Sequence, residues 1–134
     1  MLVDNNVLID VALRRQPFFG PAVELLERLA QDPGRGFMAW HTVSTFYYIV
    51  QRTLGDERTR SIIAETSSFL TVPPVTHQSL LYALSLPMTD FEDAMQVAAA
   101  QAAGAEHIVT RDIGDFINLP IPAITPEQAL RELF

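Results

Sequence analysis

Leu2-Val3-Asp4-Asn5-Asn6-Val7-Leu8-Ile9-Asp10-Val11-Ala12-Leu13 opens on two apolar residues, meets an acid, and turns within a few positions into a helical apolar pattern. By periodicity Leu2-Val3 is a very short strand running into Asp4, Asn5-Asn6 break it, and a helix begins at Val7. A strand that ends in an acid and feeds a helix is the repeating unit of an open α/β sheet, whose ligands bind in the crevice beyond the carboxyl ends of the strands. Asp4 would stand in that crevice, although plain capping of the helix also accounts for it. Asn6 would position a neighbouring carboxylate or water, or serve the turn alone.

The same form recurs near the other end of the chain. His107-Ile108-Val109-Thr110 reads as a strand leading into Arg111-Asp112-Ile113-Gly114-Asp115-Phe116, so Asp112 and Asp115 again follow a strand end. Parallel pairing would set this end beside that of Leu2-Val3. Phe37-Met38-Ala39-Trp40 reads as a further buried strand, Phe69-Leu70-Thr71-Val72 as at most a short one before Pro73-Pro74, and Ile121-Pro122-Ala123-Ile124 as the last. Helices are expected between them: Ala22 to Ala30, stopped by Asp32-Pro33-Gly34; His41 to Arg52, closed by Leu54-Gly55; one capped by Asp56; one capped by Thr76 and running to about Leu84; and a closing helix capped by Thr125-Pro126-Glu127-Gln128. Arg14-Arg15-Gln16-Pro17-Phe18-Phe19-Gly20-Pro21 is expected to be a loop.

Thr89-Asp90-Phe91-Glu92-Asp93-Ala94-Met95-Gln96 sets three carboxylates at the mouth of a helix that is otherwise nearly all apolar and stops at Gly104. Thr89 with Glu92 has the form of a capping box. With Thr89 as the cap, Asp90 and Asp93 share one face near the positive end of the helix. Capping explains Glu92 well. It explains Asp93 poorly, because a carboxylate one turn into an apolar helix is half buried without an evident partner.

Composition narrows the chemistry. The 134 residues make one domain with a real core, 49% hydrophobic and 19% charged. No apolar run reaches membrane-span length and no signal-peptide pattern opens the chain, so a cytoplasmic protein without a membrane segment is expected. There is no cysteine, which removes disulfides and thiolate metal sites together. The formal charge is −7, so any phosphate contact has to be local. All nine basic residues are arginine, and the absence of lysine excludes a Walker phosphate loop and counts against the lysine-dependent phosphotransfer folds that also begin with a strand-end Asp.

Asp4, Asp93 and Asp112 would thus gather at one edge of a doubly wound sheet, with Asp90 and Asp115 as possible additional ligands. Three carboxylates that close repel one another unless a cation neutralises them. Oxygen-only donors favour Mg²⁺ or Mn²⁺, which can activate water and stabilise a leaving oxygen at a phosphodiester.

The blocks Leu2 to Asp10, Asp90 to Gln96 and Ile108 to Phe116, in this order and spacing, resemble the three signature blocks of PIN domains, the VapC-like ribonucleases. The resemblance covers nearly the whole chain. It implies an α/β/α sandwich, three layers on a short parallel sheet of four to five strands, and metal-dependent cleavage of single-stranded RNA. It further implies a homodimer and, for toxin members, a cognate antitoxin. By position Asp4, Asp93 and Asp112 would be the catalytic acids, with Asn6 and Thr110 behind them. One departure stands out: the family's usual glutamate in the third helix is replaced by Thr45, for which Asp90 or Glu92 would have to compensate. If neither does, the chain would be a degenerate PIN-like interaction module with weak or no nuclease activity. A different Mg-dependent phosphate enzyme is the third alternative.

Arg14, Arg15 and Arg111 adjoin loops at the expected strand ends and are the candidates for an RNA path, with Phe18 and Phe19 available to stack on bases or to plug the core. Phe46, Tyr47 and Tyr48, adjacent on one helix, cannot all face inward, which leaves one for a dimer contact. None of the three histidines is assigned a role.

Overall fold

The computed structural model describes residues 1–134. Five two-residue strands form one all-parallel sheet in the order β3-β2-β1-β4-β5, with β1 Leu2–Val3, β2 Gly36–Phe37, β3 Leu70–Thr71, β4 Ile108–Val109 and β5 Ala123–Ile124. The chain leaves β1 in one direction through β2 and β3, then returns past β1 to lay down β4 and β5 on the other side. The order therefore reverses between β1 and β4. A crevice opens at such a switch point, and it is bounded by the residues that follow those two strands, Asp4 and Thr110.

Successive residues of a strand point to opposite faces, and the core divides accordingly. Val3, Val109 and Ile124 pack under α1 (Asn5–Ala12), α2 (Phe19–Gln31), α3 (Trp40–Leu54) and α7 (Pro126–Leu133), with α4 (Asp56–Ser67) packed against this layer through Ile62 and Ile63. Leu2 and Ile108 pack on the opposite side under α6 (Phe91–Ala102) and the flank of α5 (His77–Ser85). The result is the expected three-layer sandwich. Gly36 is required by close approach, since a Cβ there would lie 2.3 Å from a Leu70 methyl and 3.3 Å from one of Leu29.

Several sequence expectations hold: the stops at Gly55 and Gly104, both at positive φ, and the caps at Thr76 and Thr125. Others need correction. Asn5 and Asn6 form the first turn of α1 and do not break it away from Asp4, because the Asp4 carboxylate caps the helix by accepting from the Asn5 N–H. Helix α2 takes in Phe19-Gly20-Pro21, which proline tolerates in a first turn where its missing N–H has no partner to lose. The second strand is Gly36–Phe37 and not residues 37–40, since α3 already starts at Trp40 with an extended Ala39 before it. Asp56 lies inside the first turn of α4, after Gly55, and binds the Tyr47 hydroxyl and the Arg60 guanidinium. No helix is long and apolar enough to cross a membrane.

Candidate active site

Asp4 is 8% exposed at the switch point and is held on every side. Its Oδ1 accepts from the Asn5 N–H at 2.6 Å and from the Gln96 side-chain amide at 2.8 Å, and its Oδ2 accepts from the Thr110 hydroxyl at 2.8 Å. Burial pushes its carboxyl above the usual range, opposed by the Thr110 and Asn5 donors and assisted by the charges of Asp112 and Glu92. Gln96 comes from the second turn of α6, where alanines pack against the sheet, and its amide also donates to Thr42 at 3.1 Å. Gln96 is 1% exposed, and its place in an alanine-rich helix gave no sequence signal of this role; its carbonyl Oε1 and Asn5 Oδ1 have no protein partner.

The strand-end acids meet as parallel pairing requires. Asn6 donates to the Thr110 hydroxyl at 2.9 Å and to Asp112 Oδ2 at 3.0 Å, and so joins the end of β1 to the end of β4. Asp112 itself is exposed, and Asp115 follows it in a 3-10 turn, Ile113–Phe116.

At the mouth of α6 the cap is Asp90 and not Thr89. Asp90 Oδ1 accepts from the N–H groups of Glu92 and Asp93 at 2.8 and 3.4 Å. Aspartate caps at least as well as threonine and one carboxylate oxygen here reaches two orphan donors, so the helix starts one residue later than the capping-box reading requires. This frees Glu92, whose Oε1 lies 3.5 Å from the Thr45 hydroxyl of α3; that hydroxyl also faces the His41 carbonyl at 3.3 Å. Asp93, half buried beside Asp4, has its carboxyl pushed up to about 7, chiefly by burial and then by Asp90, Asp4, Asp115 and Glu92. His41 opens α3 with a buried Nε2 lacking a partner, and burial lowers its pKa against the opposing charge of Glu92.

Asp4, Asp90, Glu92, Asp93, Asp112 and Asp115 therefore share one electrostatic neighbourhood. As they stand, no three acidic or histidine side chains converge closely enough to hold an ion together. The donor set nonetheless fits a hard divalent cation. It is all oxygen, and its crowding raises Asp93 as a cation would reverse.

The three candidate arginines separate. Arg111 is 28% exposed and donates to buried Asp10 at 2.7 Å, its guanidinium lying 4.8 Å from the Phe18 ring centroid. Asp10, on α1, had no assigned role; burial raises its carboxyl even against the Arg111 charge. Arg15 is partly exposed near the same acid, whereas Arg14, at φ 52°, lies in a cleft with Arg58 between α1, α2 and α4. Among the aromatics of α3, Phe46 is buried, Tyr47 binds Asp56, and Tyr48 is 64% exposed.

Comparison with curated proteins gives no match. The fold is similar to solved structures that include a toxin–antitoxin complex from Klebsiella pneumoniae, with a TM-score of 0.72 and 23% identity over 93% of this chain and 96% of that one. It is also similar to VapBC2 from Rickettsia felis bound to a DNA fragment from their promoter, with a TM-score of 0.70 and 16% identity over 92% and 96% of the two chains. A third is the sarcin-ricin loop cleaving toxin VapC20 from Mycobacterium tuberculosis, with a TM-score of 0.60 and 18% identity over 80% and 85%. The sequence model of the PIN domain matches residues 1–114, which contain both strand-end acids and the whole of α6. On that match, with the parallel sheet and the acids gathered at its switch point, the chain belongs to the PIN domain family.

Proposed function

We propose that the chain is an endoribonuclease that uses Mg²⁺ or Mn²⁺ to cut single-stranded RNA, and that it is the toxin of a pair with a cognate antitoxin. The observation that carries this reading is the pair Asp4 and Asp93. One carboxylate is fixed by Asn5, Gln96 and Thr110, and the other faces it with its pKa pushed up to about 7. An acid so perturbed in a crevice of a family that groups nucleases is suited to a cation and to proton transfer near neutrality. Likeness to toxin–antitoxin complexes supports the partner.

Asp4, Asp93 and Asp112 would hold the ion, with Asp90 and Asp115 at its margin. Glu92 would take the place of the missing third-helix glutamate, since it is the carboxylate that lies against Thr45 while Asp90 is committed to its cap. A bound divalent ion supplies activation of water and stabilisation of charge on the phosphodiester oxygens. The chain's own contribution is orientation. Thr110 and Gln96 fix the two Asp4 oxygens separately, and Asn6 fixes Asp112 relative to Thr110, so the acids keep their places against mutual repulsion. Arg14 and Arg15 are the proposed RNA contacts.

Self-association is proposed at the apolar surface around α3 and α5. Trp40 is 67% exposed, Leu80 lines the same cleft, and Leu81 and Leu84 of α5 are also open to solvent, Leu84 at 63%. The absence of three converged carboxylates favours the second reading, a PIN-like interaction module without turnover. Cleavage of a labelled single-stranded RNA, with Mg²⁺ or Mn²⁺ against EDTA and with Asp93→Asn as control, separates the two. Cleavage that needs both the metal and Asp93 is expected; cleavage indifferent to either, or none with no metal binding, overturns the nuclease reading.

A further inference from the structure

Arg111 adjoins the acid cluster but is already occupied. One amino group donates to Asp10 Oδ1 at 2.7 Å, and the Asp10 side chain is 2% exposed, so this end is fixed inside the protein. The Phe18 ring covers the guanidinium at 4.8 Å, a cation–π contact that also limits solvent access to one face. Its Nε lies 3.6 Å from Asp112 Oδ2, the same oxygen that accepts from Asn6, and the Arg111 backbone N–H faces Asn6 Oδ1 at 3.4 Å. One cation thus stands between two carboxylates. An incoming phosphate would meet a neutralised or negative neighbourhood there, which argues against a contact with RNA.

We propose that Arg111 is a positioning residue: rooted on Asp10 and braced by Phe18, it holds the exposed Asp112 carboxylate at the edge of the acid cluster. The inference rests on the metal-site reading above and extends it to three residues outside the ligand set, Arg111, Asp10 and Phe18. Asp112 is more than half exposed, and without the guanidinium only the Asn6 amide restrains it. The planar fork of arginine reaches Asp10 with one nitrogen and Asp112 with another; the single ammonium of lysine keeps the charge but cannot span both.

The test is Mn²⁺ affinity of the full chain, read from the electron paramagnetic resonance of free Mn²⁺, alongside the salt dependence of binding to a labelled single-stranded RNA in EDTA. Arg111→Lys is expected to weaken Mn²⁺ about tenfold, as loss of a residue behind a metal ligand does, and to leave the RNA salt slope unchanged. Asp10→Asn/Arg111→Gln, which removes both charges and leaves none buried alone, is expected to match it and not exceed it, because both changes act through one support. Unchanged Mn²⁺ affinity in the two variants overturns the proposal. So does unchanged affinity with a salt slope flattened by about 0.7 in the double variant, the mark of one lost phosphate contact. Failure of the wild type to bind Mn²⁺ overturns the metal reading itself and this inference with it, whereas wild-type binding that both variants share overturns this inference alone.

Discussion

Replacing Asp93 with Asn should stabilise the metal-free protein at neutral and higher pH. Burial and the neighbouring acids push the Asp93 carboxyl from 3.8 to about 7 in the fold, and no donor offsets them. Between those pH values the folded chain keeps a proton that the unfolded chain has released. Stability therefore falls as pH rises through the window from about 4 to about 7, and the loss is complete above it. At about 1.4 kcal/mol for each pH unit the window gives about 4 kcal/mol. Because the carboxylate is partly open to water, screening reduces this to about 2 kcal/mol. Urea unfolding followed by circular dichroism in EDTA at pH 5 and pH 8 measures the effect. About a third of that window lies below pH 5, so the wild type should lose about 1 kcal/mol between the two relative to Asp93→Asn, equivalent to roughly 3–5 °C in melting temperature. The comparison with the variant cancels the raised Asp10 and the lowered His41, which titrate in both proteins, while Asp4, coupled to Asp93 by charge, belongs to the measured difference. A variant no more stable than the wild type at pH 8 would refute the claim that Asp93 sits in a crowded anionic site.

Three further outcomes are expected. Gln96→Leu removes the amide that holds Asp4 and Thr42, and should lower cleavage about 10- to 100-fold with a stability loss near 1 kcal/mol, since the unpartnered Oε1 is removed as well; initial rates and a thermal melt together check it. Glu92→Gln should weaken Mn²⁺ binding and cleavage, and Thr45→Glu added to it should restore both, because the second change returns a carboxylate to the place that Glu92 now reaches across; calorimetric Mn²⁺ titration of both proteins decides. Gly36→Ala drives a Cβ to 2.3 Å from a Leu70 methyl in the buried core and should cost about 1–3 kcal/mol by urea unfolding, with the Mn²⁺ affinity unchanged.

The elements that sequence resolved are those whose signal is local. Leu2-Val3-Asp4 and Ile108-Val109-Thr110 could be read as strand ends because a strand in a buried parallel sheet is a short apolar run, and their pairing followed from the parallel topology. Thr125 and Gln128 announced their helix because both halves of the capping box lie within one turn. Where two neighbouring residues were equally good caps, as at Thr89 and Asp90, local propensity could not choose. Gln96 and Asp10 were missed for a different reason. Their partners lie 92 and 101 residues away, and nothing in an alanine-rich helix or an apolar block marks a polar residue as buried and engaged. Arg111, read from its position as an RNA contact, is tied down by one of these same distant partners.

The unequal treatment of the two central acids links these observations to chemistry. Asp4 is more deeply buried than Asp93, yet Asp4 receives donors from Asn5 and Thr110 that lower its pKa against the cost of burial, and Gln96 donates to it as well. At Asp93 every influence acts in the raising direction. Burial alone therefore does not rank the two sites; the supply of donors does. A fold that spends a helix glutamine and a strand-end threonine on one carboxylate while leaving its neighbour unsupported keeps that neighbour protonated toward neutrality or leaves its anion without a donor. A cation meets that need directly, and the proton that Asp93 otherwise holds near neutrality would be displaced as it binds.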